Sequence, residues 1–225
     1  MDTATPATDH AASPKAVLFD VYGTLLDVYS VGLRAEQMFP GAGERLARAW
    51  RDKQIDYSRL VSMSGRYRPF WQLTRDALQV TAAALRLPLD EAGVDSLMNE
   101  YRHLSAFPEN RGVLQALAER GIRAGVLSNG DPDMLDVTLR SAGLTELLDP
   151  ILSVHATRRY KTDPAAYAIG PAALGDGDEG LHLLELVHGR RVSFTKKSSI
   201  NRKLWWESSL RDGIDSPDGC QRHTR

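Results

Sequence analysis

The chain has 225 residues, 42% of them hydrophobic and 25% charged, with a formal net charge of -1. Such a length suits a core domain carrying an inserted subdomain, and the balance of charge lacks the basic excess of a nucleic-acid-binding protein. No apolar run approaches the roughly 20 residues needed to cross a bilayer, so no membrane partner is expected.

Residues 1–14, MDTATPATDHAASP, are polar and small, without the basic and apolar regions of a secretory signal, and read as a disordered tail. The single cysteine, Cys220, cannot form an internal disulfide, which makes a reducing, cytoplasmic compartment the expectation. The run KAVLFD, residues 15–20, has no polar alternation and is expected to form a buried parallel strand leading into the turn-prone YGTLLD. Residues 30–107 are far too long for one crossover helix. Their stretches GERLARAWRDKQIDYSRL, PFWQLTRDALQVTAAALRL and DEAGVDSLMNEYRHL have helical periodicity, which predicts an inserted helical cap. The α/β core is expected over 15–29 and 108–175. In it, NRGVLQALAERG forms a helix stopped by Gly121, and IRAGVLS forms a second strand. DPDMLDVTLRSAGL follows as a helix with Asp131 as its N-cap and Pro132 at its first position, and PILSV makes a third strand. The fold class is therefore α/β: a Rossmann-like parallel-sheet core with an inserted helical cap. Residues 176–225 diverge, containing no alanine although the preceding chain is rich in it; LHLLELV and RRVSF are candidate short strands there.

Parallel α/β sheets bind ligands outside the carboxyl ends of their strands. Three polar clusters fall at those ends: Asp20 to Thr24, Ser128-Asn129-Gly130, and the segment after PILSV that contains Lys161. A carboxylate fixed at a strand end can attack a substrate carbon, form an ester and be released by water. A nearby lysine would stabilise its charge, and serine, asparagine and loop N–H donors could bind a substrate carboxylate. Each residue alone has a plainer explanation: Asp20, Thr24 and Ser128-Asn129 as turn residues, Arg51 on a solvated helix face, Lys161 in a basic loop, Phe70 and Tyr167 as core.

Together, FDVYGTL, LSNG and the downstream lysine resemble the haloacid dehalogenase superfamily. WRDKQIDYSRL followed by MSGRYRPFW narrows the resemblance to its (S)-2-haloacid dehalogenases, over residues 15–175. The superfamily's phosphatases carry a second aspartate two residues after the nucleophile, which protonates the leaving group; this chain has Tyr22 there. A departing halide needs no proton, so the resemblance implies carbon–halogen cleavage without metal or other cofactor. It assigns Asp20 as the nucleophile and Lys161 as its stabiliser. It assigns Arg51 to the departing halide, Ser128 and Asn129 to the substrate carboxylate and loop, Thr24 to the nucleophile loop, Tyr167 to the surroundings of Lys161, and Tyr22 and Phe70 to the pocket wall. The implied partners are a small 2-haloacid and a second copy of the chain in a homodimer.

The resemblance departs in places. Asp52 stands where these dehalogenases often have glutamine, and Thr162 where proline commonly follows the lysine. After Gly175 the family continues with a buried strand ending in serine, asparagine and an aspartate that helps position the hydrolytic water. No such segment is recognisable: Lys197–Asn201 (KSSIN) follows no apolar strand, and Asp176, Asp178 and Glu179 lie in a Gly-rich loop. The expectation is a sheet lacking one parallel strand. The alternatives are thus an inactive or impaired dehalogenase-like protein or, on the other branch, a phosphatase.

Overall fold

A computed structural model describes residues 15–174 and, as backbone, the strands Leu181–Val187 and Arg190–Thr195. The tail 1–14, the acidic residues Asp176, Asp178 and Glu179, the KSSIN segment and Cys220 lie outside the described residues.

The first strand, β1 (Ala16–Phe19), is buried at every position, as its unalternated apolar sequence requires. The next four helices form the insert: α1 (Val31–Met38), α2 (Gly43–Ser64), α3 (Phe70–Ala84) and α4 (Glu91–Tyr101). Each buries one stripe. In α2 it is Leu46, Ala47, Trp50, Gln54 and Ser58; in α3 it is Phe70, Leu73, Thr74, Ala77, Leu78, Thr81 and Ala82, the three-and-four spacing of an amphipathic helix. The stripes face each other, and the Trp50 indole N–H donates to the Thr74 carbonyl at 2.8 Å. Burying side chains such as Leu46, Leu73 and Leu78 contributes about 1.5–3 kcal/mol each. Asp90 caps α4 by accepting from the Gly93 N–H, and Gly65 ends α2 in the left-handed conformation.

The core resumes with α5 (Asn110–Glu119), β2 (Arg123–Ser128), α6 (Pro132–Ser141), β3 (Ile151–Ser153) and α7 (Pro164–Leu174). β1 pairs with β2 and β2 with β3, all parallel. This is the expected α/β order.

Two expectations need correction. The first is the missing strand. Leu181–Val187 forms β4, which pairs parallel with β1 on the side away from β2, Phe19 standing opposite Leu184. Arg190–Thr195 forms β5, antiparallel to β4, so the sheet order is β3-β2-β1-β4-β5. The run LHLLELV thus stands between β1 and β5, hydrogen-bonded to a strand on each edge. The second concerns Asp131. It precedes α6 with extended backbone (φ -67°, ψ 152°), as an N-cap should, but its side chain makes no bond to its own helix. The carboxylate is engaged elsewhere, as described below.

Candidate active site

Asp20 stands one residue past β1, in a turn organised by one carbonyl. The Val21 C=O accepts the N–H groups of Thr24, Leu25 and Leu26. Gly23 occupies positive φ (+99°) at the apex, a conformation that a side chain there would strain. The turn is anchored from behind by Asn110, whose Nδ2 donates to the carbonyls of Thr24 (3.2 Å) and Leu25 (2.7 Å). The Asp20 carboxylate is thus held on a rigid backbone while remaining 18% exposed.

Lys161 reaches it. Its Nζ lies 3.3 Å from Asp20 Oδ1, with the lysine side chain 7% exposed. In so enclosed a place an ammonium needs an anionic partner. The lysine is positioned through its backbone: its N–H donates to Asn129 Oδ1 at 2.9 Å, tying the segment after β3 to the end of β2. Ser128 Oγ accepts from the Gly130 N–H, and Ser153 Oγ donates to the Gly130 carbonyl at 2.6 Å. The three strand ends therefore form one bonded unit. Gly130 is required by close approach, since a Cβ at this position would meet Tyr22 Cε2 at 2.7 Å.

The helical insert supplies the other side. Arg51, on α2, donates from Nη2 to the Tyr22 carbonyl (2.7 Å) and from Nη1 to Gln54 Oε1 (2.7 Å), so its guanidinium lies over the nucleophile turn. Gln54, fully buried one turn along α2, also accepts from the Tyr101 hydroxyl (3.1 Å) and donates to Thr74 Oγ1 (2.6 Å). Every polar atom of that amide has a partner, which fixes its orientation and that of Arg51. Tyr101 lies close enough to sense the charges of both Asp20 and Arg51. The Tyr22 ring packs between Phe70 (5.7 Å) and Tyr101 (5.6 Å), and Phe70 against Tyr160 (6.0 Å). Burial pushes the phenols of Tyr22, Tyr101 and Tyr160 upward, so all three stay neutral.

Of the nine residues singled out in the sequence, Asp20, Tyr22, Thr24, Arg51, Phe70, Ser128, Asn129 and Lys161 thus meet around one strand-end cluster. Tyr167 lies half-buried on α7, packed against the core. Gln54, Tyr101 and Asn110 were not among the residues singled out, and Asp131 was singled out only as a helix cap. Gln54 had a signal: it follows Trp50 by four residues on a buried stripe and Arg51 by three.

Comparison with known proteins gives the chain its family. The sequence profile of the haloacid dehalogenase-like hydrolases matches residues 14–180, and the chain belongs to that family. Within it, the chain is 42% identical over 161 residues to the (S)-2-haloacid dehalogenase of Xanthobacter autotrophicus, covering 72% of this chain and 63% of that protein. It is 40% identical over 161 residues to the (S)-2-haloacid dehalogenase of Pseudomonas sp. strain YL, covering 72% and 69%. A crystal structure of the Xanthobacter autotrophicus enzyme with chloropropionic acid covalently bound superposes with a TM-score of 0.71 at 39% identity, over 76% of this chain and 69% of that one. Another L-2-haloacid dehalogenase structure gives 0.73 at 52% identity, over 76% and 77%.

Proposed function

We propose that this protein is an (S)-2-haloacid dehalogenase, hydrolysing (S)-2-haloalkanoic acids to (R)-2-hydroxy acids and halide. The observation that carries the reading is the Lys161–Asp20 pair at 3.3 Å beneath Arg51, with Tyr22 in place of a second carboxylate. Asp20 Oδ attacks C2 opposite the halogen. The carbon–halogen bond breaks with its electron pair leaving on the halide, and the centre inverts. Water then adds to the carbonyl carbon of the aspartyl ester, and cleavage of the acyl–oxygen bond releases the hydroxy acid. Asp20 is restored and one proton passes to solvent.

Lys161 offsets the charge of the nucleophile and Arg51 receives the departing halide. Ser128, Asn129 and the surrounding N–H groups hold the substrate carboxylate, Thr24 steadies the nucleophile loop, Tyr22 and Phe70 wall the apolar side, and Tyr167 supports the surroundings of Lys161. Phosphoryl transfer is the weaker reading, because Tyr22, neutral and buried, is a poor acid for an alkoxide leaving group.

The core is assigned to 15–29 and 108–175 and the cap to 30–107. A homodimer is part of the proposal. The groove between α2 and α3 exposes Leu60 (58%) and Val80 (45%), with Met63 (84%) nearby, apolar surface that a second copy would cover. A cytoplasmic location accords with the single cysteine. Among the described residues no helix is long and apolar enough to cross a membrane.

The test is chloride release from each enantiomer of 2-chloropropionate, with and without EDTA. Steady release from the (S) form alone, unchanged by EDTA, is expected. No chloride from folded protein would overturn the proposal.

A further inference from the structure

A second polar cluster joins the helical insert to the sheet, and none of the reaction steps uses it. It is built on one short segment of the insert. The Asp131 carboxylate accepts the backbone N–H of Phe70 at 3.0 Å and of Trp71 at 2.7 Å. The Tyr160 hydroxyl donates to the Arg68 carbonyl at 2.5 Å. His155 Nδ1 lies 2.9 Å from the Tyr67 hydroxyl and 3.2 Å from Asp131 Oδ1. Four of the five residues from Tyr67 to Trp71 are therefore held by side chains from the ends of β2 and β3. These are the same strand ends that carry Asn129 and Lys161.

The chemistry at the centre is that of a helix N-terminus. Phe70 and Trp71 are the first two residues of α3, and their N–H groups have no partner within the helix. The residue before them is Pro69, which makes no side-chain cap. A carboxylate placed there satisfies both donors and complements the helix dipole. Here that carboxylate comes from the other side of the site, some sixty positions along the chain, and is only 13% exposed. Its helix partner, Phe70, packs directly on Tyr22 beside the nucleophile.

We propose that Asp131 is a positioning residue: it fastens the start of α3 to the sheet and so sets where Phe70 closes over Asp20. The inference deepens the dehalogenase reading and rests on it for its kinetic consequence. In this role Asp131 acts through the backbone of α3, with its bonds to Phe70 and Trp71. Its loss should therefore weaken substrate binding and orientation more than the displacement itself.

Three variants test this in the full-length protein. Asp131→Asn keeps one acceptor, Asp131→Ala keeps none, and Asp131→Ala with Pro69→Ser gives α3 a cap of its own. Amide hydrogen exchange at Phe70 and Trp71 is read alongside kcat and KM for (S)-2-chloropropionate. In the wild type these two amides are expected to be protected. Exchange should quicken about tenfold in Asp131→Asn and more in Asp131→Ala, while the amides of β2 stay unchanged. kcat/KM should fall roughly ten- to hundredfold, the range expected when a positioning contact is lost, and mostly through KM.

The double variant separates positioning from mere capping. A local serine restores protection at the start of α3 without fastening it to the sheet, so kcat/KM should stay low. Recovery of kcat/KM in the double variant, or unchanged exchange in the single ones, overturns the proposal. A wild type that releases no chloride would instead overturn the dehalogenase reading, and the exchange rates would still decide whether Asp131 holds α3.

Discussion

Arg51 meets the nucleophile turn and Gln54 with the same planar guanidinium, one nitrogen to each. That fork geometry is what lysine lacks. On the proposed reaction, Arg51→Lys should lower kcat by roughly 100-fold, the cost of removing a preorganised donor from a site where negative charge develops. Stopped-flow chloride release would show it, and an unchanged first turnover would remove Arg51 from the halide's path. Gln54 bears a different burden. Replacing it by leucine keeps the volume but strands the Tyr101 hydroxyl and one Arg51 N–H, and leaves Thr74 Oγ1 only its bond to the Phe70 carbonyl. Unpaired buried polar groups cost about 1–3 kcal/mol each, so Gln54→Leu should lose about 2–4 kcal/mol, some strain being relieved by new pairings. Urea denaturation measures it; a loss under half a kilocalorie would mean that the network contributes little.

At the scale of elements, β4 changes what the rest of the sheet can be. β1 is buried on both faces and pairs with β2 on one edge and β4 on the other. A chain ending at Leu174 would leave Ala16–Phe19 as an apolar edge strand with unpaired N–H and C=O groups, a template for aggregation. Such a truncation should lose solubility and cooperative unfolding. If it folds with an unchanged urea midpoint, the β1–β4 pairing is dispensable. The runs of β1 and β2 and the three-and-four spacing of α2 and α3 were legible because burial on a known period writes itself into local sequence. β4 was harder, since LHLLELV sits in a segment of altered composition and its pairing is with a strand far back in the chain. Asp131 does stand at the N-cap position that the sequence indicates, and only the partner of its carboxylate was hidden, for a related reason. Asp-Pro at the start of a helix signals a cap for that helix, and nothing local says that the carboxylate serves α3 instead. The nucleophile cluster was legible only as a joint pattern, because Asp20, Asn129 and Lys161 each look like ordinary turn residues on their own.

For the whole molecule, the two halves of the proposed cycle make separable demands. Displacement at C2 calls on Asp20, Lys161 and Arg51, which stand together around β1, the segment after β3 and α2. Hydrolysis of the ester further needs a water held against the Asp20 carbonyl. The segment after Gly175, where the family's serine, asparagine and aspartate would follow, differs in sequence in this chain. The two demands can be read apart with labelled water. In the proposed chemistry the hydroxyl oxygen of the product comes from Asp20 and the carboxylate regains its oxygen from water. A single turnover of enzyme in excess, run in oxygen-18 water, should therefore give unlabelled 2-hydroxypropionate and one labelled oxygen on Asp20, located by mass spectrometry of the peptide containing residues 16–20. Steady chloride release with that pattern means that this C-terminal sequence sustains the second half-reaction. A chloride burst equal to the enzyme concentration, with Asp20 left esterified, means alkylation without efficient release. Label in the product of the first turnover would rule out acyl–oxygen cleavage of an aspartyl ester, because water would then have attacked C2.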